Sequence, residues 1–403
     1  MEEDFPFKYS VVDVLLQIVG LILFVSDLVL DVWAICSLYI DGAYISMGLL
    51  IFLLLGSSVL LHVFSWIWYS DGKEYQQTKV DIFVKKHFLL KPVHVLQLGV
   101  FLRYTSILEI SIFHLRKRTL IFKEAVVHLT HDLLMLRLFE TFSESAPQLT
   151  FMITIIFMRE ELDPFTVVKA IASAVAVAFS VLMYHRAMRE SLPDKNKMGW
   201  RSSAFYFLWN LLLIGPRITA VALFASVLPV FVVAHFLTLW MPFVLWAWRQ
   251  RTDFMDSPGG EWLYRATVGL IWYFDWFNVS KGNTKRRSII YHGIMLLDSG
   301  LLIGLWWWIR VSDTSCRGPF PINPYVLVSG NIFLYIVGLA LKAVYYKWFH
   351  PKLYTHVQVE AEPACMLMSM DEPDSVRITE RPQPQPVSGA KKRMRNLATT
   401  FYS

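Results

Sequence analysis

The stretch "FVSDLVLDVW", residues 24–33, sits inside an apolar run from Val11 to Ile40 and puts two carboxylates, Asp27 and Asp31, where lipid tails would be. Apolar runs of about 18 residues or more are long enough to span a bilayer as helices. The two acids therefore pose the question of what they face. The rest of the chain answers the first half of it. Of 403 residues, 55% are hydrophobic, 15% aromatic and only 17% charged, against about 25% charged in a soluble domain. Moving outward, ten apolar segments follow one another: about 11–40, 44–69, 92–114, 125–158, 163–187, 203–227, 229–249, 261–279, 288–310 and 322–349. Short turns such as "DGAY" and "VLPV" join neighbours, and strand alternation is absent. The expected class is an all-α polytopic membrane protein, because helices satisfy their own backbone groups in lipid.

The basic residues set the expected topology. They cluster at Lys73–Lys91, Arg116–Lys123, Arg186–Arg201, Arg249–Arg251, Lys281–Arg287 and Lys342–Lys352, while the other connections hold few. Were all ten segments to cross, basic loops would fall on both sides, against the positive-inside rule. Segments 92–114 and 261–279 each carry internal charges (Arg103 and Glu109; Arg265 and Asp275). If these two are partial helices, re-entrant or in-plane, every basic cluster becomes cytosolic. Eight transmembrane helices then remain, with both termini in the cytosol. The order span, span, partial, span recurs in 11–158 and 203–310, which predicts two pseudo-repeats. A cytosolic N-terminus (1–10) precedes the first. A connecting helix and cytosolic loop (159–202) joins the two, and a last span (311–350) leads to a disordered cytosolic tail (351–403). The acidic start "MEEDFPFKYS" does not read as a cleavable signal. The sequon "NVS" at Asn278 falls on the cytosolic side and is expected to be unmodified.

Two helices carry polar stripes. At about 100° per residue, Asp13, Gln17, Asp27 and Asp31 share an arc of about 80° on the first segment. Arg137, Glu140, Glu144 and Gln148 share a similar arc on the fourth, with Pro147 expected to bend or split that helix. Each charge facing lipid at mid-bilayer costs about 2.5–3.5 kcal/mol, so the four acids Asp27, Asp31, Glu140 and Glu144 must face protein, water or counter-ions. Arg103, Arg137, Arg186 and Arg217 are the available bases, and Asp298 in "MLLDSG" is a further buried acid. The bland reading is a lattice of ion pairs that fixes helix register. The other is a polar track for something charged: a proton, an ion, or a zwitterionic headgroup. Headgroups need both signs, which the mixture of acids and arginines offers.

Other motifs carry less. "HLTHD" at 128–132 has two histidines and an aspartate but too few ligands for zinc, and a solvated or capping role is expected. Cys36, Cys316 and Cys365 form no readable disulfide framework. No phosphate loop, nucleophile elbow or dinucleotide fingerprint occurs. Neither an enzyme, a metal, a cofactor nor a nucleic-acid partner is expected. The tryptophans, "WWW" at 306–308 included, suit interfacial belts. In the tail, "MDEPDSVR" sets Asp371 and Asp374 three apart before the small Ser375, the pattern a caspase cuts in an extended segment. "KKRMR" at 391–395 could bind anionic lipid or be an ordinary solvated cluster.

The segments "SDLVLDVW", "MLRLFETFSESAPQLT", "YHRAMRESLPDKN", "YFLWNLLLIGPRITAVALF", "TDFM", "EWLYR", "WFNV" and "YYKWFHP" resemble, in that order and over roughly residues 11–352, the XK-related family of membrane proteins. The resemblance implies eight spans and two partial helices in two repeats, with charged residues stepping between the halves. Asp13, Asp27, Asp31, Arg103, Glu140, Glu144, Arg186, Arg217 and Asp298 match those positions. Met183 departs, standing where the similar proteins have an acid. It also implies a phospholipid scramblase of the plasma membrane that exposes phosphatidylserine on apoptotic cells once an executioner caspase cuts after Asp374. A single-span immunoglobulin-type subunit, basigin or neuroplastin, is the implied partner. A transporter or channel for an ion or small solute, and an accessory structural protein, are the alternatives.

Overall fold

The structure, a computed structural model, describes residues 11–71, 78–117, 120–159, 164–190, 198–279, 284–312 and 322–349. Among these all regular structure is helical: α1 (Val11–Ile40), α2 (Tyr44–Asp71), α3 (Lys79–Lys86), α4 (Leu90–Val95), α5 (Gly99–Lys117), α6 (Leu120–Glu140), α7 (Ala146–Arg159), α8 (Pro164–Glu190), α9 (Trp200–Val227), α10 (Val232–Arg249), α11 (Pro258–Phe274), α12 (Thr284–Ser312) and α13 (Pro324–Val344). Seven of them (α1, α2, α8, α9, α10, α12 and α13) are long and apolar enough to cross a membrane. The chain has the build of a multi-pass membrane protein.

The core is organised around α9, whose Trp209, Asn210, Leu213, Ile214, Arg217 and Val221 are all buried. Helices α7, α8, α12 and α13 pack around it. Contact with α13 is close at Gly338, where a Cβ would sit 3.0 Å from the Leu212 carbonyl carbon and oxygen and 2.9 Å from Leu213 Cδ2. By contrast α1 stands at the edge and exposes Leu15, Ile22, Val29 and Trp33. In water such a face would be unstable. Against acyl chains it has no desolvation to lose.

Segment 125–158 is helical but is not one of the seven. It runs as α6, a π-turn at Thr141–Ser145, and α7. Pro147 lies just beyond the wide turn. Its ring and missing N–H are incompatible with a regular i→i−4 bond to Ser143. The wider turn, closed by Ala146 N–H donating to the Thr141 carbonyl, resets the register instead of parting the helix. Segment 92–114 resolves into two helices, α4 and α5, and Gln97 adopts φ 60° between them. Helix α3 has no counterpart among the ten apolar segments, being too short and too charged to register as one. Trp306 is not interfacial: it is fully buried among Ala220, Leu223 and Ile303, while Trp308 is exposed. At helical spacing three successive tryptophans point three ways, so only some can reach a belt.

Candidate polar sites within the bundle

The first polar group lies where α1, α2 and α8 meet the π-turn between α6 and α7. Asp31 accepts a 2.6 Å hydrogen bond from Gln148 Nε2. Glu144 is within side-chain hydrogen-bonding reach of Asp31 and of Ser57. Ser57 and Ser143 hydroxyls are 2.7 Å apart. One turn away Arg137 pairs with Glu140, its guanidinium 4.9 Å from the centre of the Phe24 ring. Asp31, Glu140 and Glu144 are buried, at 5%, 5% and 9% exposure, whereas Asp27 is half-buried. Near the other end of the α1 stripe, Gln17 Nε2 donates to Thr130 Oγ1 at 3.3 Å. Asp13 lies in α1, but its side chain falls outside the described residues.

The π-turn shapes this group. An extra residue in one turn rotates the face of α7 relative to α6 by about 100°, so Glu140 and Gln148 do not keep the angle a uniform helix would give them. Thr141 Oγ1 also reaches Ser180 Oγ of α8 at 2.7 Å. On α8 the half-buried Lys169 acts electrostatically on both Asp27 and Asp31. Lys169 escaped the sequence reading because it sits alone near the start of an apolar helix. The signal that could have found it is the α8 stripe Thr166, Lys169, Ser173 and Ser180, within an arc of about 60°. Met183 extends that stripe by one turn and is half-buried.

The second group lies between α9, α10, α11 and α12. Arg217, 2% exposed, donates to Asp298 Oδ2 at 2.5 Å, Ser299 Oγ at 3.2 Å and the Tyr273 carbonyl at 3.1 Å. His235 bridges Asp298 Oδ1 (3.1 Å) and the Tyr273 hydroxyl (3.0 Å). His235 too was missed, being one histidine in an apolar helix.

Arg103 belongs to neither group. Its Nε donates to Ser65 Oγ and its Nη2 to the Ser65 carbonyl, both at 3.1 Å, and Asp132 lies 3.7 Å from Nη1. This overturns the solvated reading of "HLTHD": Asp132 is an ion-pair partner and His131 is 1% exposed. The reason is that α6 begins at Leu120, which carries 131–132 into the packing against α5. His128 has no described side chain. Arg186 reaches Ser203 Oγ at 3.4 Å. Asn278 Nδ2 is half-buried and 3.4 Å from Thr284 Oγ1. Asp371, Asp374 and Ser375 lie outside the described residues. The matched positions thus gather into separate polar groups rather than one file.

The second half repeats local bonding of the first. Arg265 of α11 donates from Nε to Thr252 Oγ1 (2.9 Å) and from Nη2 to the Thr252 carbonyl (3.0 Å), as Arg103 of α5 does with Ser65. Glu261 accepts from two successive backbone N–H groups, Phe254 and Met255, as Glu109 does from Lys79 and Val80.

A family model described as "XK-related protein" matches residues 15–351. The chain is 45% identical over 360 residues to "XK-related protein 8" of Tetraodon nigroviridis, covering 88% of this chain and 87% of that one. It is 44% identical over 357 residues to the protein of the same name from Gasterosteus aculeatus, covering 86% of each. Against that of Pan troglodytes it is 36% identical over 400 residues, covering 97% and 94%.

Proposed function

The chain belongs to the XK-related family, and from that premise we propose that it is a phospholipid scramblase of the plasma membrane. The observation that carries this reading is the buried acids Asp31, Glu140 and Glu144, with half-buried Gln148 bonded to Asp31, Arg137 paired to Glu140 and half-buried Lys169 on α8, within a bundle of apolar helices. Ionisable groups at that depth are costly, and both signs are present within reach of a zwitterionic headgroup. In this proposal Asp27, Asp31, Glu140 and Glu144 meet the headgroup amine. Lys169 and Arg137 balance the acids or meet the phosphate, and the acyl tails stay in lipid alongside α1. Arg217 with Asp298, Arg103 and Arg186 form further steps or brace the halves.

The proposed topology has eight spans, with the α6–α7 helix as the eighth. Helices α5 and α11 enter and return as partial helices, so the chain forms two repeats with both termini cytosolic. The tail from about 351 holds the path closed. An executioner caspase cutting between Asp374 and Ser375 opens it, and phosphatidylserine reaches the outer leaflet of apoptotic cells. A single-span immunoglobulin-type subunit, basigin or neuroplastin, would accompany the chain.

The test is reconstitution of the purified protein in liposomes with fluorescent phospholipid, before and after caspase treatment. The proposal expects dithionite-accessible lipid to rise after cleavage without ion flux. Ion flux without lipid exchange would replace it with the channel reading.

A further inference from the structure

The segment from Lys79 to Leu98 is bonded to Glu109 and Ser65 but belongs to neither of the two acid–base groups, and its geometry is unusual. Helix α3 is fixed at its N-terminus from two directions. Thr78 caps it through Asp81 N–H at 2.9 Å. Glu109 of α5 takes the Lys79 and Val80 N–H groups at 2.9 and 3.1 Å. Ser106 Oγ donates to Asp81 Oδ1 at 3.0 Å. Farther on, buried His94 is held by Ser65 Oγ at 3.0 Å and the Leu90 carbonyl at 2.9 Å. The segment is thus anchored by its inner face, along Val84 and His94.

Its outer face is apolar and basic together. Ile82, Phe83, Phe88 and Leu96 are exposed, Phe88 at 87%, and Lys85, Lys86 and Lys91 are exposed among them. Phe88 has φ 54°. A bulky side chain in the left-handed region costs on the order of 1–3 kcal/mol, and no burial of the ring within the chain offsets it. The strained turn therefore holds an aromatic ring outward on a clamped support, with exposed lysines on both sides of it in the chain. Aromatic and aliphatic side chains interleaved with lysines fit one surface well: the boundary between headgroups and acyl chains of an anionic leaflet.

We propose that residues 79–98 form an in-plane foot that docks on anionic phospholipid. In it Phe83, Phe88 and Leu96 enter the acyl boundary, and Lys85, Lys86 and Lys91 gather acidic headgroups beside α2 and α5. The foot would raise the local concentration of acidic lipid at that edge of the bundle, whatever the protein moves. A lysine near an anionic surface is worth about a fivefold preference, so three together give about a hundredfold.

The test uses the full chain in lipid vesicles with Phe88→Cys as the one labelled cysteine, the native cysteines being replaced by Ser, and an environment-sensitive fluorophore attached. Quenching is read with nitroxide-bearing phosphatidylcholine and, separately, nitroxide-bearing phosphatidylserine. The expected result is quenching by both, at much lower mole fraction for phosphatidylserine, with the difference removed by Lys85→Gln, Lys86→Gln and Lys91→Gln together. These side chains are exposed, so the variant keeps its fold, which a matched melting curve verifies. Quenching by neither lipid would overturn membrane docking, and shielding of the label only in native membranes would give the surface to a protein. Equal quenching by both lipids would overturn the anionic preference. None of these readouts depends on scrambling, so the foot can fail while the scramblase reading stands, and the reverse.

Discussion

The Arg217–Asp298 pair gives the sharpest test of the energetics. Arg217→Met keeps an unbranched stem and removes the guanidinium. Asp298 then loses its 2.5 Å partner and keeps only His235, and the Tyr273 carbonyl and Ser299 lose a donor. With Arg217 2% exposed, the groups it bonded are left with little solvent in place of their partner. Breaking a buried pair by removing one partner costs about 3–5 kcal/mol. Unfolding entropy of about 2.1 cal/mol/K per residue converts that, for a chain of this length, into a melting drop of about 4–6 °C. Asp298→Leu leaves an unpaired buried guanidinium and should cost about as much. The double variant removes both charges, and replacing a buried pair with apolar groups is close to neutral. It should melt within about 2 °C of the parent. The assay is the thermal stability of detergent-purified protein, followed by size-exclusion fluorescence. If the two single losses add in the double variant, the pair is not coupled and the reasoning fails.

Other outcomes follow from the same contacts. Lys169→Glu places another acid beside Asp27 and Asp31; proteoliposome exchange of phosphatidylserine should slow more than that of phosphatidylcholine, while Lys169→Arg should retain both. Gly338→Val drives a side chain into the Leu212 carbonyl, where a Cβ alone would lie at 3.0 Å. Overpacking of about 1–3 kcal/mol should lower the melting temperature by a few degrees, and co-substituting Leu213→Ala should recover part of it. Asp374→Ala should leave the purified chain uncut at this site by caspase and block phosphatidylserine exposure in apoptotic cells lacking other scramblases, as read by annexin staining.

How much of this was legible in the sequence depended on the length scale of the signal. Long apolar runs report bulk hydrophobicity, and the bounds of α1, α2 and α10 follow it closely. The α1 stripe was legible because four polar residues recur on a uniform helix. On α6 and α7 the wheel placed Arg137, Glu140, Glu144 and Gln148 on one arc, and the arrangement holds only in part. The π-turn at Thr141–Ser145 changes the angle between Glu140 and Gln148, and no periodicity argument predicts where an extra residue enters a turn. Pro147 marked the neighbourhood but not the form of the distortion. Short elements such as α3, and lone groups such as Lys169 and His235, leave no period at all. Only the fold brings them to partners distant in sequence.

The bonding that recurs in the two halves shows the same limit from another side. No strong self-match is visible between the halves, yet Arg103 with Ser65 and Arg265 with Thr252 make the same two-bonded contact, nitrogen for nitrogen. What recurs is a bonding geometry that different residues can satisfy: Ser or Thr supplies the hydroxyl, and the carbonyl comes from the backbone. Charge contacts do not recur in the same way. In the first half Arg137 pairs with Glu140 on its own helix, while in the second Arg217 of α9 pairs with Asp298 of α12, between helices. An ion pair is symmetric under exchange of its members, so charge alone lets the α9–α12 contact take either order. Reversing the pair in place, with Arg217→Asp and Asp298→Arg together, should therefore recover more stability than either change alone, and a double variant no better than the worse single one would show that the surrounding Ser299, His235 and Tyr273 contacts, not the charge pair, set the order.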